Sequence, residues 1–349
     1  MAHSLQSESY VFDPRPRYPL VLTAKRYWNP IHYSEDPDAL TLVFAHGTGF
    51  HKEHWEPTLQ DLYQLVDKNG AERFKIREAW CIDCPNHGDA AILNEQELLW
   101  GYENVFGWEE YARGIHSFLT GQGQGVPVDF TSRNLVGIGH SMGAVAIMLS
   151  TTYLPTLKYH SIILVDPMMY PKPPSGFPPL ATIDLAAGAI KRRDQWPSRS
   201  EALQFFQSRP SFKIWDPRVL EAFVNHGLRD LPTAVYPNDN EGVTLKCPRA
   251  QEAACYRDTL GRTRAFKYLH VLCDHFPVHF IYGGIDDYLP REVKDVVLEV
   301  AARGRYQSLA RVSGAGHLVV QTHPNGLAIA IGDALESQTS AGIKTQSKL

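Results

Sequence analysis

The chain has 349 residues, of which 44% are hydrophobic and 21% charged, and a formal net charge of −4. This is enough for one large α/β domain with an insertion, or for two domains, and the mild negative charge argues against a nucleic-acid partner. No stretch approaches the roughly eighteen uninterrupted apolar residues of a membrane span, and residues 1–10 lack the basic and apolar runs of a secretory signal, so neither is expected.

From the N-terminus onward, short apolar runs predict strands at 20–28, 40–45, 76–83, 134–138, 161–165, 278–282 and 307–312. Helical periods separate them, which is the pattern of a mostly parallel sheet covered on both faces. Just after the strand at 40–45, His51 and His54 have metal-pair spacing but no evident third ligand. Cys81 and Cys84 form a lone C-x-x-C at the end of a strand. With no second ligand pair and no helix opening at the motif, the reading is buried free thiols. The odd, scattered set of five cysteines fits the same reducing setting. Tyr111, Ile115, Phe118 and Leu119 share one helical face, as do Val293, Val296, Val297 and Val300, and both stripes are expected to be core.

The strand rhythm breaks between residues 167 and 276. This segment opens with a proline-rich loop at 171–179 and then gives helix starts. Ser198 with Glu201 forms a capping box, and Asp216 precedes Pro217 at the first helical position. The division expected is the first part of a sheet core at 1–166, a helical cap at 167–276, the rest of the core at 277–336 and a flexible polar tail at 337–349. Trp196, Phe205, Phe206, Trp215 and Phe223 are expected mainly to pack the cap, with a pocket-lining role as the alternative.

Chemistry enters at Gly139-His140-Ser141-Met142-Gly143. A G-x-S-x-G between a predicted strand and a helix is a nucleophile elbow, a sharp turn that exposes the serine above the sheet. It aims the backbone N–H of Met142 at a substrate oxygen. The second oxyanion donor belongs to the loop His46-Gly47-Thr48-Gly49, at Thr48 or Gly49. Fifteen histidines compete to be the base, and His317 is chosen by position because it closes Gly314-Ala315-Gly316-His317 after the last strand. His46 and His140 read as structural or pocket-lining. Three carboxylates compete to orient the imidazole. Asp286 and Asp287 follow the strand at 278–282, whereas Asp166 ends the strand at 161–165.

Together with Phe50-His51-Lys52-Glu53, Asp83-Cys84-Pro85-Asn86-His87-Gly88-Asp89 and Val165-Asp166-Pro167-Met168, these motifs make the chain resemble an α/β-hydrolase. Within that superfamily it is similar to fungal peroxisomal hydrolases, including those of host-selective toxin biosynthesis in Alternaria, peroxisomal lipases and acyl-CoA hydrolases of secondary metabolism. The resemblance implies a mostly parallel central sheet with helices on both faces and a helical cap inserted after the sixth strand. It also implies that Asp166, at the end of that sixth strand, is the acid slightly ahead of Asp286, with Asp287 third. The terminal Ser347-Lys348-Leu349 is the tripeptide read by the peroxisomal import receptor, so the matrix of that organelle is the expected location.

The expected activity is therefore that of a serine hydrolase on a small-molecule acyl ester or acyl-CoA thioester, needing no metal or organic cofactor. The rivals are a lipase or general esterase of peroxisomal fatty-acid metabolism, an acyltransferase on the same triad, and a non-catalytic ligand-binding protein. Acyl chain, leaving group, pathway and oligomeric state are not encoded in these motifs.

Overall fold

Strand Leu40–Ala45 shows how the sheet is built: Leu40, Leu42 and Phe44 point into one apolar layer, while Val43 and Ala45 point into the other. A second strand, Tyr159–Val165, alternates likewise, with Ile162 and Leu164 in one layer and Ile163 and Val165 in the other. Side chains alternate across a strand, so a continuously apolar run requires cover on both faces. Each such fully buried aliphatic side chain contributes roughly 1.5–3 kcal/mol of burial free energy.

The computed structural model describes residues 5–31, 33–69, 74–171 and 184–346. Its strands are β1 (Gln6–Phe12), β2 (Leu22–Trp28), β3 (Leu40–Ala45), β4 (Ile76–Ile82), β5 (Asn134–His140), β6 (Tyr159–Val165), β7 (Gln195–Trp196), β8 (Leu228–Asp230), β9 (Val243–Leu245), β10 (Val278–Gly283) and β11 (Ser308–Val312). Eight of them form one sheet in the order β1-β2-β4-β3-β5-β6-β10-β11. All pairings from β4 to β11 are parallel, and β1 and β2 pair antiparallel at the edge. From β3 the chain crosses first to β4 on one side and then to β5 on the other. Ligands of open α/β sheets bind outside the strand carboxyl ends at such a switch point.

Three local features depart from the sequence expectation. β1 was not expected, because its sequence QSESYVF is largely polar and it lies exposed on the sheet edge. In the valine stripe, Val293 and Val297 are buried, but Val300 is 54% exposed. The helix there changes to π geometry over Val297–Ala301, and that wider turn shifts the register so that Leu298 and Ala301 face inward instead. Helix Pro324–Gln346 continues past residue 337, where an irregular tail is expected. Ser347, Lys348 and Leu349 lie outside the described residues.

Between β6 and β10 the described segment contains helices Leu185–Lys191, Arg199–Ser208, Pro217–Gly227, Arg249–Arg257 and Leu260–His275. It also contains a three-stranded antiparallel sheet, β7-β9-β8. Strands of two or three residues are too short to show a period, which is why the sequence reads as helical only. Ser198 caps its helix by accepting from the Glu201 N–H, and Asp216 accepts from the Arg218 N–H. The five cap aromatics form one cluster with Val219, Leu220 and Val224. The last helix of the segment sends Ala265, Leu269 and Leu272 into the apolar layer of the main sheet instead.

Charge also ties the insertion to the sheet domain. Lys52 is buried with its Nζ 2.8 Å from Asp83, 2.6 Å from Asp89 and 3.0 Å from Glu53. Lys246 of the insertion completes the network at 2.5 Å from Asp89. Burial disfavours the Lys52 ammonium, but the three carboxylates outweigh this and raise its pKa. A second tie is the paired contact of Arg218 with Asp61, at 2.7 and 2.9 Å. The Asp83 carboxylate has room only because residue 88 is glycine: a Cβ there would lie 2.4 Å from its carboxylate atoms, and the backbone φ is +54°. Gly88→Ala is therefore expected to destabilise the protein by about 2 kcal/mol or more, from strain and clash together. Gly121 has φ +65° with nothing near its missing Cβ, so Gly121→Ala should cost only about 1 kcal/mol of backbone strain. Denaturation midpoints of the two variants measure the difference, and equal losses would remove the steric argument.

Candidate active site

At the carboxyl end of β5 the chain turns directly into helix Met142–Ser150, whose residues are all buried. A helix apolar on every side can lie only inside the core, so it pins the turn against the sheet. Ser141 sits at the turn with φ 56° and ψ −115°, and its N–H is fastened to the Val165 carbonyl of β6 at 3.0 Å. The turn is this tight because its flanking residues lack side chains. A Cβ on Gly139 would come 2.4 Å from the Gly143 carbonyl oxygen, and one on Gly143 would come 2.3 Å from that of Ala45.

Two other loops bring their side chains to the serine. His317 Nε2 is 3.1 Å from Ser141 Oγ, and His317 Nδ1 is 2.8 Å from Asp166 Oδ1. Asp166 directly follows β6 and holds the unusual φ of +42°. Its second oxygen accepts from the Gly283 N–H at 2.7 Å. Burial pushes the Asp166 carboxyl up, but the hydrogen bond and charge of His317, with Lys294 and the Gly283 N–H, hold it below its ordinary value. The carboxylate is wholly buried, and Ser141 and His317 are nearly so.

The other two candidate acids stand elsewhere. Asp286 is paired with Lys294 and Arg291, each at 3.0 Å. Asp287 accepts from the backbone N–H of His317 at 2.8 Å, so it holds the loop and not the ring. His140 supports the same loop by donating from Nε2 to the His317 carbonyl at 2.8 Å. Burial lowers the His140 pKa to about 3, which keeps this imidazole neutral.

Of the expected oxyanion donors, Met142 opens its helix, where backbone N–H groups have no intrahelical partner. Thr48 borders the same cavity as Ser141. The Gly49 N–H is directed instead to His87 Nε2 at 2.9 Å. His87 can accept there because its Nδ1 faces Asn86 Oδ1 at 2.7 Å and carries the proton. His51 and His54 are buried and packed edge-on to each other. Among the described residues, no group of three or more His, Cys, Asp or Glu side chains is placed to hold a metal ion.

A cavity of about 470 Å³ opens over Ser141 and His317. Phe212, Trp215 and Phe223 from the insertion, with Phe50 and Met168, give it apolar walls. It also contains a polar pair absent from the sequence reading, the buried Glu252 with the half-buried Arg192 at 3.1 Å. Burial raises the Glu252 pKa, and Arg192 partly offsets this. No spacing signals that pair, because its partners lie 60 residues apart in the chain. The Gly283 N–H was missed for a different reason. It lies within the Gly283-Gly284-Ile285-Asp286 motif, but a backbone donor leaves no side-chain signature in a sequence.

Comparisons with known proteins bear on the whole arrangement. The type I acyl-CoA thioesterase mpaH of Penicillium roqueforti is 31% identical over 246 residues, covering 69% of this chain and 52% of that protein. The abhydrolase domain-containing protein AKT2 of Alternaria alternata is 36% identical over 123 residues, 35% of this chain and 44% of that one. The chain thus spans about half the length of the curated relatives it matches. Among solved structures, the peroxisomal alpha-beta-hydrolase Lpx1 of Saccharomyces cerevisiae superposes with a TM-score of 0.68 at 23% identity, covering 96% of this chain and 90% of that one. The thioesterase domain from the curacin biosynthetic pathway gives 0.61 at 14% identity, covering 95% and 99%. These structures share the fold. Residues 42–330 match the model of the Alpha/beta hydrolase family, from within β3 to the last helix, and the chain belongs to that family.

Proposed function

We propose that this protein is a serine hydrolase that cleaves an acyl-CoA thioester, acting in peroxisomes and in the making of a fungal secondary metabolite of the host-selective toxin kind. The observation that carries the chemistry is the relay from Ser141 Oγ through His317 to Asp166 beneath an apolar cavity. Support for the substrate comes from the thioesterase names of the Penicillium relatives, and for the metabolic setting from the Alternaria proteins. The terminal Ser347-Lys348-Leu349 and the similarity to Lpx1 support the location.

In this reading Ser141 Oγ attacks the acyl carbonyl carbon while its proton passes to His317 Nε2. Asp166 fixes the imidazole with its proton on Nδ1 and stabilises the imidazolium. The oxyanion is held by the N–H groups of Met142 and Thr48, since that of Gly49 is engaged by His87. Collapse expels the thiolate, which takes the proton from His317 and leaves an acyl-serine. Water, deprotonated by the same imidazole, then releases the acid. The cap aromatics Trp215 and Phe223 form part of the acyl wall.

Ser141→Ala should lower acyl-CoA turnover by at least about three orders of magnitude while the fold persists. A fluorophosphonate probe should label the wild type and not this variant. His317→Ala should lower turnover by a similar factor, and near-wild-type turnover in that variant would contradict its role as base.

Asp166→Asn should cost about three to four orders of magnitude in kcat, through loss of the correct tautomer. Asp286→Asn, whose pairs with Arg291 and Lys294 lie outside the relay, should stay within a few-fold, compared at equal folded fraction. The reverse ranking would reassign the acid. Removal of Ser347-Lys348-Leu349 should move a fluorescent N-terminal fusion from puncta to cytosol without changing activity in vitro, and puncta that persist would mean another import signal.

A further inference from the structure

Beside the catalytic cavity lies a second one of about 310 Å³, at the lower end of the size that holds a small organic ligand. Arg192, Phe212 and Phe223 line both cavities and so form the partition between them. The far side of the second cavity is made by Trp196, Phe205, Arg193 and Arg209. Its chemistry differs from that of the first. The Arg209 guanidinium lies 4.4 Å from the Phe205 ring centre, and that of Arg193 lies 5.1 Å from the same ring and 5.8 Å from Trp196. The nearby acids are already engaged: Asp194 by Arg249 at 2.9 Å and Glu252 by Arg192. Trp196 is 2% exposed, yet its indole N–H has no hydrogen-bond partner among the described residues. Such a buried donor is costly unless an acceptor reaches it.

Flat rings and guanidinium planes stack on nucleobases, and arginine forks bind phosphates. A ligand that used both cavities would have an anionic, aromatic head in the second and an acyl carbonyl over Ser141 in the first. A slender linker would pass the partition. We propose that the Arg193–Trp196–Phe205–Arg209 cavity seats the adenosine 3′,5′-bisphosphate end of an acyl-CoA, its pantetheine crossing beside Arg192 and Phe212. The proposal rests on the thioesterase reading given above and adds to it a binding site on the insertion, remote from the reacting atoms.

The test uses the full chain carrying Ser141→Ala, so that binding is read without turnover. Calorimetric titration with adenosine 3′,5′-bisphosphate should show saturable binding, weakened at least tenfold by the further changes Arg193→Gln and Arg209→Gln. In the otherwise wild-type chain, the same two arginine changes should raise KM for decanoyl-CoA at least tenfold with kcat kept. Hydrolysis of decanoyl-N-acetylcysteamine, which lacks the nucleotide, should not change, and this also shows that the variant is folded. Absence of bisphosphate binding, or equal binding by both proteins, overturns the site even if decanoyl-CoA is hydrolysed. Bisphosphate binding that depends on the arginines supports the site even if decanoyl-CoA is not cleaved, and that result would count against the thioesterase reading alone.

Discussion

The Asp166 carboxylate is the contact on which the rest of the site depends. One oxygen holds the His317 ring and the other holds the Gly283 N–H at the end of β10, while the residue itself ends β6. Three strand ends are thus joined through one buried anion. The left-handed φ of Asp166 is what turns its side chain sideways along the sheet edge, and such a backbone state persists only where the surroundings over-determine it. Here they do, because the N–H of Asp166 is bonded to the Ile281 carbonyl and the N–H of Ser141 to the Val165 carbonyl. Ser141 and Asp166 are held by adjacent strands of one parallel sheet, so their separation is set by strand spacing and not by loop conformation.

Around this relay three buried imidazoles, His46, His87 and His140, are each held in one tautomer. His46 carries its proton on Nδ1 toward the Gly47 carbonyl and accepts from the Cys84 N–H at Nε2. His87 and His140 are fixed in the same way by Asn86 with Gly49 and by the His317 carbonyl. Burial lowers the pKa of all three. Further out, Lys52 is balanced by three carboxylates and Glu252 by Arg192. Each of these charges is thereby answered within its own group, and the anion that touches the relay is Asp166.

How much of this was legible in the sequence depended on whether a feature is local. The elbow was legible because its constraint is local: Gly139 and Gly143 are small for a steric reason that lies within a few residues of Ser141. The parallel sheet was legible from its continuously apolar strands. The choice among Asp166, Asp286 and Asp287 was not, since all three follow strands at the same edge and differ only in where the backbone points the side chain. β1 escaped because an exposed edge strand needs no apolar alternation, and β7 to β9 because they are too short to have any. Val300 turned outward because a π turn shifted the register, something no count of i, i+3 and i+4 positions anticipates. The polar pair of Arg192 and Glu252, and the arginines over Phe205, are tertiary juxtapositions within an insertion whose sequence reads only as helical.

The hydrogen bond from His317 to Ser141 joins residues 176 positions apart, and that from His317 to Asp166 spans 151. Closing such loops costs entropy that only an already assembled core can offset. The strands β5, β6, β10 and β11 must be in register before the imidazole can meet the hydroxyl. A nascent or partly unfolded chain therefore carries Ser141 as an ordinary, unreactive alcohol. On the proposed mechanism, reactivity at Ser141 is a property of the finished tertiary structure, so a chain that has not yet folded cleaves no acyl substrate.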